Sequence, residues 1–114
     1  MKVYGIKNCD TVKKALKWLD DHNVRYEFHD FKKSGISEEK LEEWSAKIGW
    51  ESLVNKRGTT WKKLDVATQS QINNKVDAFR LMRDKTSVIK RPVLETEEKV
   101  VMGFDEATYQ DTLG

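Results

Sequence analysis

The one cysteine of the chain, Cys9, is the residue best suited to covalent chemistry. It follows a strand-like segment, residues 2–6, and directly precedes a helix-like segment that begins at Asp10. The unpaired N–H groups in the first turn of a helix, together with the helix dipole, stabilise an anion there. Such positions lower the pKa of a thiol, and the thiolate attacks disulfides and oxyanions. We predict that Cys9 is a nucleophile; the alternative is a small buried thiol that only packs.

The residues around Cys9 act on its thiolate in opposite directions. The hydroxyl of Thr11 can donate a hydrogen bond to the sulfur, whereas the carboxylate of Asp10 disfavours a second negative charge beside it. The two histidines, His22 and His29, fall at the end of the first predicted helix and in the second predicted strand. Neither position favours a Cys–His dyad, and no Cys or His cluster has metal-ligand spacing, so we expect no metal site.

Two arginines lie in sequence contexts that suit anion binding. Arg91 precedes the only proline, Pro92, where a predicted strand begins and where a cis X–Pro bond is a recognised turn feature. Its planar guanidinium group suits a carboxylate or an oxyanion, and the alternative is a surface arginine before a trans proline. Arg57 falls in a predicted loop, where an arginine either binds a ligand or is simply solvated.

Hydrophobic periodicity predicts the elements that position these residues. Residues 2–6 and 25–31 alternate as strands do, and residues 10–22 have the apolar spacing of an amphipathic helix. A strand, a helix and a strand in this order predict a parallel pair with a right-handed crossover. The later predicted elements are helices at 37–49, 67–73 and 76–83, short helical turns at 50–53 and 61–64, a hairpin of 93–94 with 99–103, and a last helix capped by Asp105.

The order β-α-β, helical insert, β-β-α is the plan of the thioredoxin-like fold, an α/β fold with a mixed four-stranded sheet. We predict a single domain over residues 1–114 with a helical insertion at about residues 37–85. Within the insertion, Val76, Phe79 and Met82 are predicted to face inward, and residues 55–60 to form a loop.

The composition argues against several classes of function. A formal net charge of +2, with short lysine runs followed closely by acids, does not resemble a nucleic-acid footprint. No apolar run approaches the ~20 residues of a membrane span, and the first residues lack the apolar core of a signal peptide. A single cysteine fits a reducing compartment. We therefore expect a cytoplasmic protein, monomeric, that binds neither nucleic acid nor membranes.

Three segments resemble the glutaredoxin-linked arsenate reductase family and its Spx-type relatives. They are residues 1–11, 55–58 and 89–94, and the likeness runs nearly end to end, closest to the short bacterial YffB-type members. The resemblance implies a thioredoxin-like core, a nucleophile, residues that bind a substrate or oxyanion, and a cis-proline. For this chain the resemblance implies Cys9 as the nucleophile, Arg57 and Arg91 as oxyanion-binding residues and Pro92 as the cis-proline. We also expect Asn8 and Thr11, in the segment around Cys9, to bind the substrate or oxyanion.

Two departures from the family pattern narrow the expected function. The arsenate reductases have a further arginine after the last hairpin, about where this chain has Phe104. The segment from Cys9 to Val12 has no second cysteine, so the CxxC switch of many Spx-type regulators cannot form. We expect a monothiol reductase without a bound cofactor, in which Cys9 forms a mixed disulfide that external glutathione resolves. The alternatives are a glutaredoxin-coupled arsenate reductase and an Spx-like regulator that binds RNA polymerase.

Overall fold

The computed structural model describes residues 1–113, which form two compact units. The first unit joins Met1–Phe31 to the segment from Arg91 onward, and the second unit is Lys32–Lys90. In chain order the elements are β1 (Lys2–Gly5), α1 (Asp10–Asp21), β2 (Glu27–Asp30), α2 (Phe31–Ser34), α3 (Glu38–Ile48), α4 (Thr59–Lys62), α5 (Val66–Gln71), α6 (Lys75–Asp84), β3 (Val93–Glu95), β4 (Val100–Met102) and α7 (Glu106–Leu113). Single 3₁₀ turns lie at Trp50–Leu53 and Thr86–Val88.

The first unit is built on a mixed four-stranded sheet with the strand order β2-β1-β3-β4. β1 runs parallel to β2, as the strand–helix–strand pattern predicts, and antiparallel to β3, which forms the predicted hairpin with β4. The predicted α/β class and the thioredoxin-like fold are therefore confirmed. β2 ends earlier than predicted, because Asp30 pairs with Gly5, the last residue of β1, and Phe31 already begins α2.

Apolar residues of α1 and α7 cover one face of this sheet. Val3 and Leu94 are register partners in β1 and β3, and both are fully buried. They form one cluster with Ala15 and Leu19 of α1 and Tyr109 of α7, each also fully buried. Because both helices pack on the same strand pair, their positions relative to the end of β1 are defined by the core of this unit.

The second unit consists of α2 without its first residue, α3 to α6 and the two 3₁₀ turns. Ser37 caps α3 by accepting a hydrogen bond from the Lys40 N–H group at 3.1 Å, and Gly49 follows its last residue with a φ of 85°. In α6 Phe79 and Met82 are buried as predicted, but the prediction for Val76 is wrong, since it is 62% exposed. Three residues turn a helix by about 300°, so successive steps of three drift off the buried face.

The predicted loop at 55–60 ends early, because its last two residues already belong to α4. None of the helices formed by residues 1–113 has the length and apolar character needed to cross a bilayer.

Candidate functional site

Cys9 occupies the N-cap position of α1, where the sequence analysis placed it. Its N–H group donates to the Ile6 carbonyl oxygen at 3.2 Å, which closes a tight turn directly after β1. Its own carbonyl oxygen accepts from the Lys13 N–H group at 3.0 Å, the first hydrogen bond of the helix. The backbone of Cys9 is extended, with φ −102° and ψ 124°, as N-cap residues are. Four residues therefore separate the end of the central strand from the first helical turn.

A close approach of strand and helix defines where this turn lies. A Cβ atom added to Gly5, the last residue of β1, would lie only 2.8 Å from Cγ2 of Val12. Val12 is fully buried in the first turn of α1. The absence of a side chain at Gly5 thus lets the helix start against the strand, and this contact places the sulfur of Cys9 at the carboxyl end of β1.

The surroundings of the Cys9 thiol favour the thiolate. The side chain is partly buried, and burial by itself raises the pKa of the thiol. The Val12 N–H group, a hydrogen bond and the positive charge from Arg91, and the Thr11 N–H group together outweigh burial, so the pKa lies below its ordinary value. Both N–H groups belong to the first turn of α1, where unpaired N–H groups and the helix dipole stabilise an anion.

Arg91 reaches Cys9 because of the register between β1 and β3. Tyr4 pairs with Val93, so Arg91, two residues earlier in the antiparallel strand, lies just beyond the carboxyl end of β1. Its side chain is partly buried, and its Nε atom is shielded from solvent. The Arg91–Pro92 peptide bond is cis, as predicted. The guanidinium group and the helix N-terminus therefore converge on one sulfur atom.

The other predicted residues near Cys9 lie on the exposed surface of the same turn. Asn8 is exposed immediately before the cysteine, and Thr11 is exposed in the first turn of α1. Thr11 acts on the sulfur through its backbone N–H group, whereas the predicted role of its hydroxyl group remains a prediction. The role of Asn8 in binding also remains a prediction.

Arg57 belongs to the second unit, where it is exposed on an ordered turn. Its N–H group donates to Oδ1 of Asn55 at 3.2 Å, and the Gly58 N–H group donates to the Asn55 carbonyl oxygen at 3.3 Å. The amide nitrogen of Asn55 occupies the space above Gly58, since a Cβ there would lie 2.8 Å from it. The backbone that carries Arg57 is therefore well defined, and its part in binding remains a prediction.

Phe104, which we expect to stand about where the arsenate reductases have a further arginine, packs against an aromatic neighbour. Its ring packs edge-on against Tyr109, with centroids 5.0 Å apart.

The two histidines also contact aromatic rings: the ring of His22 stacks on that of Trp18 with centroids 3.8 Å apart, and the ring centroids of His29 and Tyr4 are 4.9 Å apart. Within residues 1–113 no group of three or more His, Cys, Asp or Glu side chains is arranged to hold a metal ion.

Sequence reasoning missed two features of the site. The Val12 N–H group contributes to the thiolate's environment, although the N-cap position of Cys9 already implied that the second and third helical N–H groups would face it. The contact between Gly5 and Val12 also escaped notice. A glycine at the end of a strand that precedes a helix is the only sequence signal for such a close approach.

One protein family and several solved structures match this chain over nearly its whole length. The ArsC family model matches residues 4–112. The solved structure of a protein described as YFFB superimposes with a TM-score of 0.93 at 45% identity, covering 99% of this chain and 98% of that one. An arsenate reductase (ArsC) related protein from Brucella melitensis superimposes with a TM-score of 0.77 at 44% identity, covering 96% and 91%.

Two relatives in sequence match more than nine-tenths of this chain. An uncharacterized protein of Haemophilus influenzae is 44% identical over 108 residues, which are 95% of this chain and 94% of that protein. The global transcriptional regulator Spx of Listeria innocua is 23% identical over 106 residues, which are 91% of this chain and 79% of that protein.

Proposed function

The chain belongs to the ArsC family, and from this premise we propose that it is a glutathione-dependent monothiol reductase with Cys9 as its nucleophile. The observation that supports this most is the pairing of Cys9 with Arg91 at the N-terminus of α1. A guanidinium group and backbone N–H groups that lower the pKa of a thiol make more of it available as the attacking thiolate without a histidine base.

The proposed reaction takes place in two exchange steps. The Cys9 thiolate attacks the glutathione sulfur of a mixed disulfide between glutathione and a substrate thiol. A bond forms between the Cys9 sulfur and the glutathione sulfur, and the substrate leaves as a thiolate that takes up a proton. A second glutathione thiolate then attacks the glutathione sulfur on Cys9. Glutathione disulfide forms and the Cys9 thiolate is regenerated, so one free glutathione is oxidised for each mixed disulfide that is reduced.

The need for an external thiol follows from the composition of the chain. Cys9 is the only cysteine, so no second thiol of this chain can resolve the mixed disulfide. Glutathione is proposed as the resolving thiol because its carboxylate groups suit the fork-shaped donors of arginine. We assign carboxylate binding to Arg91, and contacts with the bound peptide to Asn8 and Thr11.

Turnover of a glutathionylated peptide, with glutathione, glutathione reductase and NADPH, tests the proposal. The wild-type protein is expected to turn over, Cys9→Ser to be inactive, and Arg91→Gln to be slowed. Arg25→Gln is the matched control, because it removes the same charge from the same unit. Arg25 is exposed and precedes β2, so it lies at the amino end of the parallel strand pair, whereas Cys9 lies at the carboxyl end. No turnover by the wild type, or full turnover by Cys9→Ser, would contradict the proposal.

Mass spectrometry provides a second test that does not require turnover. The wild-type protein incubated with glutathione disulfide at neutral pH is expected to gain one glutathionyl group, and Cys9→Ser none. Added glutathione is expected to remove the group. A wild-type protein that gains no adduct would exclude Cys9 as a nucleophile towards glutathione.

Arsenate reduction is the second candidate, since the Brucella melitensis protein that is 44% identical is described as related to arsenate reductase. The same Cys9 thiolate would attack arsenic, and external thiols with glutaredoxin would supply the two electrons. The apolar packing of Phe104 argues against a third cation at its position. An assay with arsenate, glutathione and glutaredoxin distinguishes the two: inertness to arsenate together with turnover of the glutathionylated peptide supports the thiol reductase.

A further inference from the structure

A chain of hydrogen bonds connects the last helix to the segment that carries Arg91. The Gly103 N–H group donates to the carbonyl oxygen of Pro92 at 2.8 Å. The carbonyl oxygen of Gly103 accepts a hydrogen bond from the hydroxyl group of Tyr109 at 2.9 Å. Gly103 has a φ of 77°, a backbone conformation that glycine adopts readily and that turns both of its polar groups to these partners. The hydroxyl group of Tyr109 is thus two hydrogen bonds away from the residue that follows Arg91.

The ring of Tyr109 is fixed from two sides. Phe104 packs on it edge-on with centroids 5.0 Å apart, and Trp18 does so with centroids 5.6 Å apart. Tyr109 is fully buried, and burial raises the pKa of its hydroxyl group, which therefore stays protonated and remains a donor. A ring held in this way places its hydroxyl group with little freedom.

Tyr109 therefore contacts α1 directly and the segment that carries Arg91 through the backbone of Gly103. Trp18 belongs to α1, the helix that has Cys9 at its N-cap. Through Gly103, the same tyrosine holds Pro92, whose neighbour Arg91 bonds the sulfur. In addition to the pairing of β1 with β3, one side chain therefore connects the helix that begins after Cys9 with the segment that carries Arg91.

We propose that Tyr109 is a positioning residue for the reaction proposed above, which holds the Arg91–Pro92 segment in place beside α1 through Gly103. This inference rests on the proposed function, in that it assigns Tyr109 to the support of the same pair, Cys9 and Arg91. Tyr109 does not touch the reacting sulfur, and its effect is transmitted through the backbone of Gly103 and Pro92. A purely structural tyrosine would contribute to stability and leave the reactivity of the thiol unchanged.

The pH dependence of Cys9 alkylation by iodoacetamide tests the proposal in the full chain. Tyr109→Phe keeps the ring and its two ring contacts and removes only the hydroxyl group. We expect its alkylation midpoint to rise above that of the wild type, by less than the rise in Arg91→Gln. Tyr26→Phe is the matched control, because Tyr26 packs against the same core and its hydroxyl group interacts instead with Asp20. Its midpoint is expected to equal that of the wild type.

Two results would overturn the proposal. One is a midpoint for Tyr109→Phe equal to that of the wild type, and the other is an equally large rise in Tyr26→Phe, which would indicate a general loosening of the unit. Alkylation requires no glutathione. A higher alkylation midpoint in Tyr109→Phe, together with no turnover of the glutathionylated peptide by the wild type, would therefore refute the reductase function and leave the positioning role intact.

A second pair of variants decides the question if Tyr109→Phe fails to fold by circular dichroism. Asp105 caps α7 by accepting from both the N–H and the hydroxyl group of Thr108, one residue before Tyr109. Asp105→Ala and Asp105→Asn remove the same charge, but only asparagine can still cap the helix. We expect a higher alkylation midpoint in Asp105→Ala than in Asp105→Asn. Equal midpoints in these two variants would count against the proposal in the same way.

Discussion

Replacing Arg91 by glutamine is expected to change the reactivity of Cys9 in opposite directions at low and at high pH. The guanidinium group donates a hydrogen bond to the sulfur and places a positive charge beside it, and both lower the pKa of the thiol. Glutamine keeps a polar side chain and removes the charge. The thiolate of the variant therefore forms at higher pH, and each thiolate that does form is a stronger nucleophile.

The size of the effect follows from the environment of the sulfur. A hydrogen bond to a charged group contributes about 1.5–3 kcal/mol, and the lower end applies here because Cys9 is only partly buried and solvent screens the charge. About 1.4 kcal/mol corresponds to a tenfold smaller thiolate fraction at pH values where the thiol predominates. With a Brønsted coefficient of about 0.4–0.5, the remaining thiolate is roughly threefold more reactive. The variant should be roughly three- to fourfold slower at low pH and roughly threefold faster at high pH.

Stopped-flow kinetics with dithiodipyridine measures this crossover. The probe is an uncharged disulfide at neutral and alkaline pH, so loss of the Arg91 charge does not change its attraction to the site. Arg25→Gln is expected to follow the wild-type curve across the pH range. Parallel curves for Arg91→Gln and the wild type, without a crossing point, would refute the pairing of Arg91 with Cys9.

Three further predictions concern the scaffold and the ionisable groups. Gly5→Ala should lower the free energy of unfolding by about 1–3 kcal/mol, because its Cβ would meet Val12 at 2.8 Å; an unchanged urea midpoint would contradict this. Hydrogen bonds from Thr68 lower the pKa of Asp65, the cap of α5, so Asp65→Ala should lose stability at neutral pH. The stability difference between Asp65→Ala and the wild type should vanish as the pH falls through the lowered pKa of Asp65. Thermal unfolding at acid and at neutral pH measures it, and an equal difference at both pH values would contradict the prediction. The pKa of the Cys9 thiol is lowered in the folded state. The wild type should therefore gain stability over Cys9→Ser as the pH rises from that lowered pKa to the pKa of the thiol in the unfolded chain. A stability difference that does not change with pH would contradict this prediction.

The sequence predicted the parts of the site that depend on local chain order. Cys9 was identified at the N-cap because a period-two pattern changes to a helical period at that residue, and this change is visible in the sequence. The only proline and the strand that follows it left a cis and a trans bond open, and the family resemblance implied the cis bond that the structure has. No local pattern brings Arg91 close to Cys9, because the two residues are 82 positions apart and the pairing of β1 with β3 brings them together.

Features that depend on packing between distant elements could not be predicted from the sequence. The contact of Gly5 with Val12 depends on how closely α1 approaches β1, and the glycine at the end of the strand was its only signal in the sequence. The exposure of Val76 shows the same limit within a helix, because the choice of buried face depends on neighbouring helices rather than on the apolar residues of α6 alone. The hydrogen bond from Tyr109 to Gly103 needs both the final hairpin and α7 in place.

The most direct measurement of the central claim is the ultraviolet absorbance of the Cys9 thiolate as a function of pH, taken as the difference between the wild type and Cys9→Ser. It reports ionisation of the sulfur without any reagent or substrate. We expect a single titration step whose midpoint lies below that of a free cysteine thiol. A midpoint at or above the free thiol would contradict the claim that Arg91 and the N-terminus of α1 hold Cys9 as a thiolate.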